Sequence, residues 1–119
     1  MSARSTGSLH ELEAVKHLKN LGYIPFKPQK TSRFGTQDIF NMFDVVAIKK
    51  SHVKFVQVKT NSTRGFLKKL KSFVEEHGFF YDVSFELWVR KNKKTDKRTW
   101  DIYIVKFLHE EVEVKKYQV

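Results

Sequence analysis

Two β-branched runs, Phe43 to Ile48 and Val53 to Val58, are separated only by the polar break Lys49 to His52, and this spacing predicts a β-hairpin. Alternation puts Asp44, Val46 and Ile48 on one face of the first strand, and Val53, Phe55, Gln57 and Lys59 on one face of the second. A two- or four-residue loop sets Ile48 opposite Val53, which brings Asp44 opposite Gln57 with β-carbons about 5 Å apart. Lys59 follows one step along the same face. A carboxylate, an amide oxygen and an ammonium therefore gather at one end of an otherwise apolar ribbon. Such a gathering costs free energy unless a cation or another polar group satisfies it.

The 119 residues suffice for one domain, 1–119, with one core. A hydrophobic share of 40% with eleven Phe argues for a packed globule rather than a disordered chain. The absence of Cys excludes a disulfide scaffold and any thiolate ligand or nucleophile, and points to an intracellular protein. Met1 to Thr6 is too short and polar for a signal peptide, and no apolar run approaches transmembrane length, so no membrane association is expected. The net charge of +10 is uneven: Val45 to Val74 carries eight Lys or Arg and no acid, and Arg90 to Arg98 carries six against one Asp. Cations concentrated in this way suit a phosphate backbone, although a solvated surface has the same composition.

Gly7 to Leu21 reads as a helix, with Ser8 as N-cap and Glu11 completing a capping box. Leu9, Leu12, Ala14, Val15, Leu18 and Leu21 supply its apolar stripe. At about 100° per residue, Glu11 projects into that stripe and Glu13 away from it. An acid in the buried stripe needs a partner; one on the far face does not. Gly22 ends the helix, and Tyr23 to Lys27 reads as an edge strand because Pro25 and Pro28 forbid a central one. Gln29 to Asn41 is a polar loop feeding Asp44, with Lys30, Ser32, Arg33 and Thr36 placed to touch a substrate. Asp38 rivals Asp44 but has the poorer strand around it.

Beyond the hairpin, Ser62 or Thr63 is expected to cap a second helix to about His77, with Phe66, Leu67, Leu70, Phe73 and Val74 inward. Lys68, Lys69 and Lys71 fall mostly outside that face, and the helix start brings Arg64 and a positive dipole end near the site. Val83 to Val89 and Thr99 to Phe107 are further strands, and the last dozen residues read as a strand, a short helix or a frayed end. The fold class is α/β, a small mixed β-sheet flanked by helices in the order α-β-β-β-α-β-β. Apolar positions on the late strands, Trp88 and Trp100 among them, suit either the core or an interface between two copies.

The polar set is Glu11, Asp44, Gln57 and Lys59. Carboxylate and amide oxygens without His or Cys suit Mg²⁺ or Mn²⁺ rather than zinc. Such an ion activates water and neutralises a phosphodiester oxygen, while a lysine stabilises charge on the phosphorus.

Asp44, then Gln57-Val58-Lys59 on a hairpin, preceded by Glu11 in an N-terminal helix, resembles the PD-(D/E)XK nuclease superfamily. Within it the layout is most similar to the small archaeal Holliday junction resolvases, over roughly Gly7 to Thr60. The resemblance implies a restriction-endonuclease-like core and a metal-dependent endonuclease acting on DNA, branched DNA above all, as a homodimer. It makes Asp44 the central metal ligand, Gln57 a further ligand, Glu11 a direct or outer ligand and Lys59 the catalytic lysine, with Mg²⁺ or Mn²⁺ as cofactor. DNA contacts are expected from Lys30, Ser32, Arg33, Thr36, Arg64 and Lys68, and an archaeal or archaeal-virus origin fits the same likeness. Phe43 stands where many members have proline, and Gln57 where the usual acid would be. The second departure removes a negative charge. A catalytically weak or inactive nucleic-acid-binding module of the same fold is therefore the alternative, and a basic protein-interaction domain a third.

Overall fold

A computed structural model describes residues 3–28, 39–40, 42–63, 65–77, 83–91, 99–108 and 111–119. The chain runs α1 (Ala3–Asn20), β1 (Ile24–Phe26), β2 (Val45–Lys49), β3 (His52–Thr60), α2 (Phe66–His77), β4 (Val83–Lys91), β5 (Thr99–Leu108) and β6 (Glu111–Gln118). The strands form one mixed sheet in sequential order, β1 to β6. Only β3 and β4 pair in parallel, because α2 carries the chain back over the sheet between them. This is the expected α/β architecture, with β6 settling the reading of the last dozen residues as a strand.

The hairpin has the expected register. Ile48 lies opposite Val53, and Lys49 opposite His52, so the loop is Lys50-Ser51, with Lys50 at φ 53°. Pro25 sits in the edge strand β1, where its missing N–H breaks no interior ladder. Gly22, at φ 92°, ends α1. Beside it, Lys49 donates to the Leu21 carbonyl at 2.9 Å, so β2 itself caps the helix.

The sheet buries a core on each face. On one, Ala14 and Leu18 of α1 pack on Val45, Ala47, Val56, Val58, Trp88, Trp100 and Ile102. On the other, Leu70 and Val74 of α2 pack on Phe43, Phe85, Leu87, Val89 and Val105. Trp88 and Trp100 meet edge to face at 5.5 Å and are 0% and 4% exposed, so they belong to the core and are not surface for a second copy.

Three local expectations fail for identifiable reasons. α1 begins at Ala3, so Ser8 lies inside the helix and is not its cap. α2 begins at Phe66, directly after Gly65 at φ 80°, so neither Ser62 nor Thr63 occupies the capping position. The α1 stripe also differs: Leu9, Leu12 and Leu21 are exposed, while His10 and Glu11 are buried with Ala14 and Leu18. The sheet offers polar partners at that end of the helix, and these outweigh the gain from covering two leucines. Glu13 is part of the same correction. Far from pointing away from the sheet, it accepts from the Arg90 guanidinium at 2.6 Å, and that guanidinium in turn lies 4.8 Å from the Trp100 ring.

A buried polar cluster occupies the α1 face of the sheet. Glu86, fully buried, accepts from Lys54 at 2.9 Å, from the Ser84 hydroxyl at 2.8 Å and from the Trp88 indole at 2.9 Å. Burial alone pulls the Lys54 ammonium down, but the charge of Glu86 and its hydrogen bond outweigh that and hold it above lysine's ordinary value.

Candidate active site

The site forms where β2 leaves β3. The last ladder pair is Val45 opposite Val56, whereas β3 continues beside β4 to Thr60. At the parting, the Asp44 amide donates to the Val56 carbonyl at 2.9 Å. The Val58 amide, which would otherwise seek the next β2 carbonyl, donates to Asp44 Oδ2 at 2.8 Å. A side chain thus replaces a missing ladder bond, and it fixes the carboxylate at the mouth of the split. This is why an acid sits at the start of an otherwise apolar strand.

Gln57 follows Val56 in β3, one residue past the last ladder pair, and is 8% exposed. Its Oε1 is buried and has no hydrogen-bond partner among the described residues. A buried amide oxygen left in that condition costs about 1–3 kcal/mol, which a cation would recover. Lys59 is half-buried on the same face, with Nζ 4.1 Å from the centre of the Phe66 ring at the start of α2. The ring holds the ammonium by cation–π attraction and sets where it rests.

Glu11 enters from the other layer. It is 8% exposed, and its Oε1 lies 3.5 Å from Lys27 Nζ, just past β1. The neighbouring His10 bonds the Thr60 hydroxyl at 2.7 Å, so this turn of α1 is held at the end of β3 that carries Lys59. The structure therefore holds Asp44, just before β2, on the Val58 amide that lies between Gln57 and Lys59 in β3, and sets Glu11 at the same end of the sheet on the α1 side.

Lys68 is exposed on α2 and, with Lys69, Met42 and Phe73, lines a cleft of about 360 Å³. Lys30, Ser32, Arg33, Thr36 and Arg64, together with Asp38, lie outside the described residues.

The donor set tests whether a divalent ion fits. No cluster of three His, Cys, Asp or Glu side chains occurs among the described residues. Among the described residues the candidate donors are a fixed carboxylate oxygen, Asp44, and an unsatisfied amide oxygen, Gln57, both nearly buried. Hard oxygen donors in this number fit Mg²⁺ or Mn²⁺, which keep several of their waters. Asp44 and Gln57 would hold the ion, with Glu11 reaching it directly or through water. When bound, such an ion supplies an activated water and neutralises a phosphate oxygen.

Sequence reasoning missed four participants: His10, Thr60, Lys27 and the Phe66 ring. The i, i+4, i+8 spacing of His10, Ala14 and Leu18 was the one legible signal, since it places the imidazole in line with two core residues.

No protein-family model matches this sequence, and no curated protein does. Among solved structures, the chain is similar to that of Hjc, a Holliday junction resolvase from the archaeal hyperthermophile Archaeoglobus fulgidus. The likeness covers 96% of this chain and 83% of that one, at 15% identity and a TM-score of 0.48. No helix among the described residues is long and apolar enough to cross a membrane.

The contrast between the two glutamates gives a test of the site's extent. Glu11→Gln is expected to slow metal-dependent DNA cleavage by about tenfold or more, as loss of a ligand or ligand-orienting group does. Glu13→Gln, which loosens the part-buried Arg90 pair, is expected to leave cleavage within about twofold and to cost about 1 kcal/mol of stability. Parallel single-turnover cleavage and urea unfolding measure both, and equal slowing by the two variants would remove Glu11 from the site.

Proposed function

We propose that this chain is a metal-dependent endonuclease that hydrolyses DNA phosphodiester bonds, selective for branched DNA in the manner of a Holliday junction resolvase and acting as a homodimer. The observation that carries this reading is the Asp44 carboxylate, locked by the Val58 amide, together with the buried and unsatisfied oxygen of Gln57, the residue before Val58. In this reading Asp44 and Gln57 hold Mg²⁺ or Mn²⁺, and Glu11 is the outer ligand. Lys59, on the same face, orients the attacking water or stabilises charge on the phosphorus.

The net charge of +10 and the exposed Lys68 and Lys69 on α2 suit a phosphate backbone. Phosphate contacts position a nuclease without reading bases, which favours recognition of DNA shape over sequence. Two opposed strands of a junction call for two symmetric sites, hence the homodimer. The alternative, a binding module that no longer cuts, draws on the neutral amide of Gln57, which leaves the site one negative charge short.

One experiment separates the readings: a labelled four-way junction and a matched linear duplex incubated with Mg²⁺, Mn²⁺ or EDTA. Paired symmetric cuts confined to the junction and lost in EDTA are expected. Metal-dependent cuts spread over the duplex would keep the nuclease and discard the junction preference. Binding without cuts under either metal would leave the module, whose affinity falls with salt by a slope of about 0.9 per phosphate contact. On both readings Lys68→Ala is expected to lower that slope by up to about one contact.

A further inference from the structure

We infer that His10 and Thr60 form a positioning latch that sets the α1 side of the site against the β3 side, and that divalent-metal binding depends on it. This rests on the nuclease reading above and adds to it two residues with no part in the metal set.

The inference starts from how α1 is held. Its apolar contacts to the sheet, Ala14 and Leu18, lie toward its C-terminal half, whereas Leu9 and Leu12 near the site are 50% and 56% exposed. Hydrophobic burial is non-directional, so it presses the helix onto the sheet without fixing its rotation or its slide. At about 100° of rotation per residue, a small slip turns Glu11 off the site. The N-terminal half must therefore be set by directional contacts.

The His10 to Thr60 bond is such a contact. The imidazole is 3% exposed, and its Nδ1 lies 2.7 Å from the Thr60 hydroxyl oxygen, fifty residues away in sequence. Thr60 is β-branched and sits in the ladder opposite Arg90, so its hydroxyl is placed by stiff backbone and side-chain geometry. His10 directly precedes Glu11, and Thr60 directly follows Lys59. One bond thus ties the two outlying members of the set, which belong to different layers of the fold.

Two further directional contacts of α1, Glu11 with Lys27 and, a turn on, Glu13 with Arg90, are separate and remain when the latch is cut. The helix then stays docked while its register loosens. Neither latch residue is assigned contact with substrate or metal; both act through Glu11 and Lys59.

The test compares His10→Leu, Thr60→Val, the double variant and His10→Asn with wild type. The readouts are Mn²⁺ binding followed by electron paramagnetic resonance without DNA, single-turnover cleavage of the four-way junction, and thermal unfolding. Each single variant is expected to weaken Mn²⁺ binding and slow cleavage about tenfold, with the fold retained. The double variant is expected to be no worse than the poorer single, because both remove one bond. His10→Asn is expected to recover most of the loss, since its amide reaches the position of Nδ1.

Thr60→Val indistinguishable from wild type in both metal binding and cleavage would overturn the latch. So would losses that multiply in the double variant, or an asparagine no better than leucine at position 10. An active wild type with unimpaired variants overturns this inference alone. A wild type that neither binds Mn²⁺ nor cuts DNA overturns the nuclease reading, and the latch with it.

Discussion

On the proposed nuclease reading, replacing Asp44 with asparagine is expected to slow metal-dependent DNA cleavage about 10³-fold, equivalent to ~4 kcal/mol of barrier, while leaving the hairpin folded. The two effects separate because the aspartate has two tasks. As an acceptor it closes the gap left by β2, taking the Val58 amide at 2.8 Å, and an asparagine oxygen does this equally well. As an anion it supplies the charge that the proposed metal site needs, and the substitution leaves two neutral amides, at 44 and 57, to attract a divalent cation. Single-turnover cleavage of the four-way junction in Mg²⁺, with urea unfolding alongside, measures both tasks. Cleavage within about tenfold of wild type would show that the metal is held elsewhere. Asp44→Leu, which loses both tasks, is expected to destabilise the fold as well, by about 1–3 kcal/mol for the stranded Val58 amide.

Replacing Glu86 with alanine is expected to be the most damaging change to stability, at about 3–5 kcal/mol. Against a total of about 5–15 kcal/mol for a domain, that is a large share. Glu86 is fully buried and serves three donors, so its loss strands the Lys54 ammonium, the Ser84 hydroxyl and the Trp88 indole away from water. Removing both charges, with Glu86→Leu and Lys54→Met together, is expected to restore much of the loss, because a buried pair is costly chiefly when halved. Urea unfolding of the single and double variants decides this, and a single-variant loss under about 1 kcal/mol would mean that the cluster is hydrated in solution.

The same pair predicts the alkaline limit. Lys54 is raised in the folded state against the downward pull of burial, chiefly by Glu86, and Tyr117 is raised first by its own burial and then by Glu86. The folded chain therefore holds protons that the unfolded chain releases. This stability is fully present below the ordinary lysine and tyrosine values and fades as pH climbs beyond them. Unfolding free energy that stays flat above pH ~11 would contradict the pairing.

Much of this architecture was legible in the residues, for physical reasons that differ by element. The β2–β3 register follows from period-two alternation and a short loop, since a slip of one residue would turn Val45, Ala47, Val56 and Val58 out of the core. That register carries Val45 opposite Val56 and leaves Asp44 at the point where the strands part. The buried face of α2 was equally readable, because its apolar and lysine residues fall on opposite sides of one cylinder. The rotation of α1 was not, because its apolar residues are spread around the helix and several rotations bury similar area. Polar partners supplied by distant strands, Thr60 for His10 and Arg90 for Glu13, chose among them, leaving Leu9 and Leu12 in water. The interior charge of Glu86 was likewise invisible, since only the parallel pairing of β3 with β4 sets it beside Lys54. By itself the sequence determined what pairs locally: the hairpin, its register and the chemistry gathered at its open end. Tertiary structure alone decided which side of α1 meets that end and which polar groups the core holds, because both depend on partners that come close only once the sheet has formed.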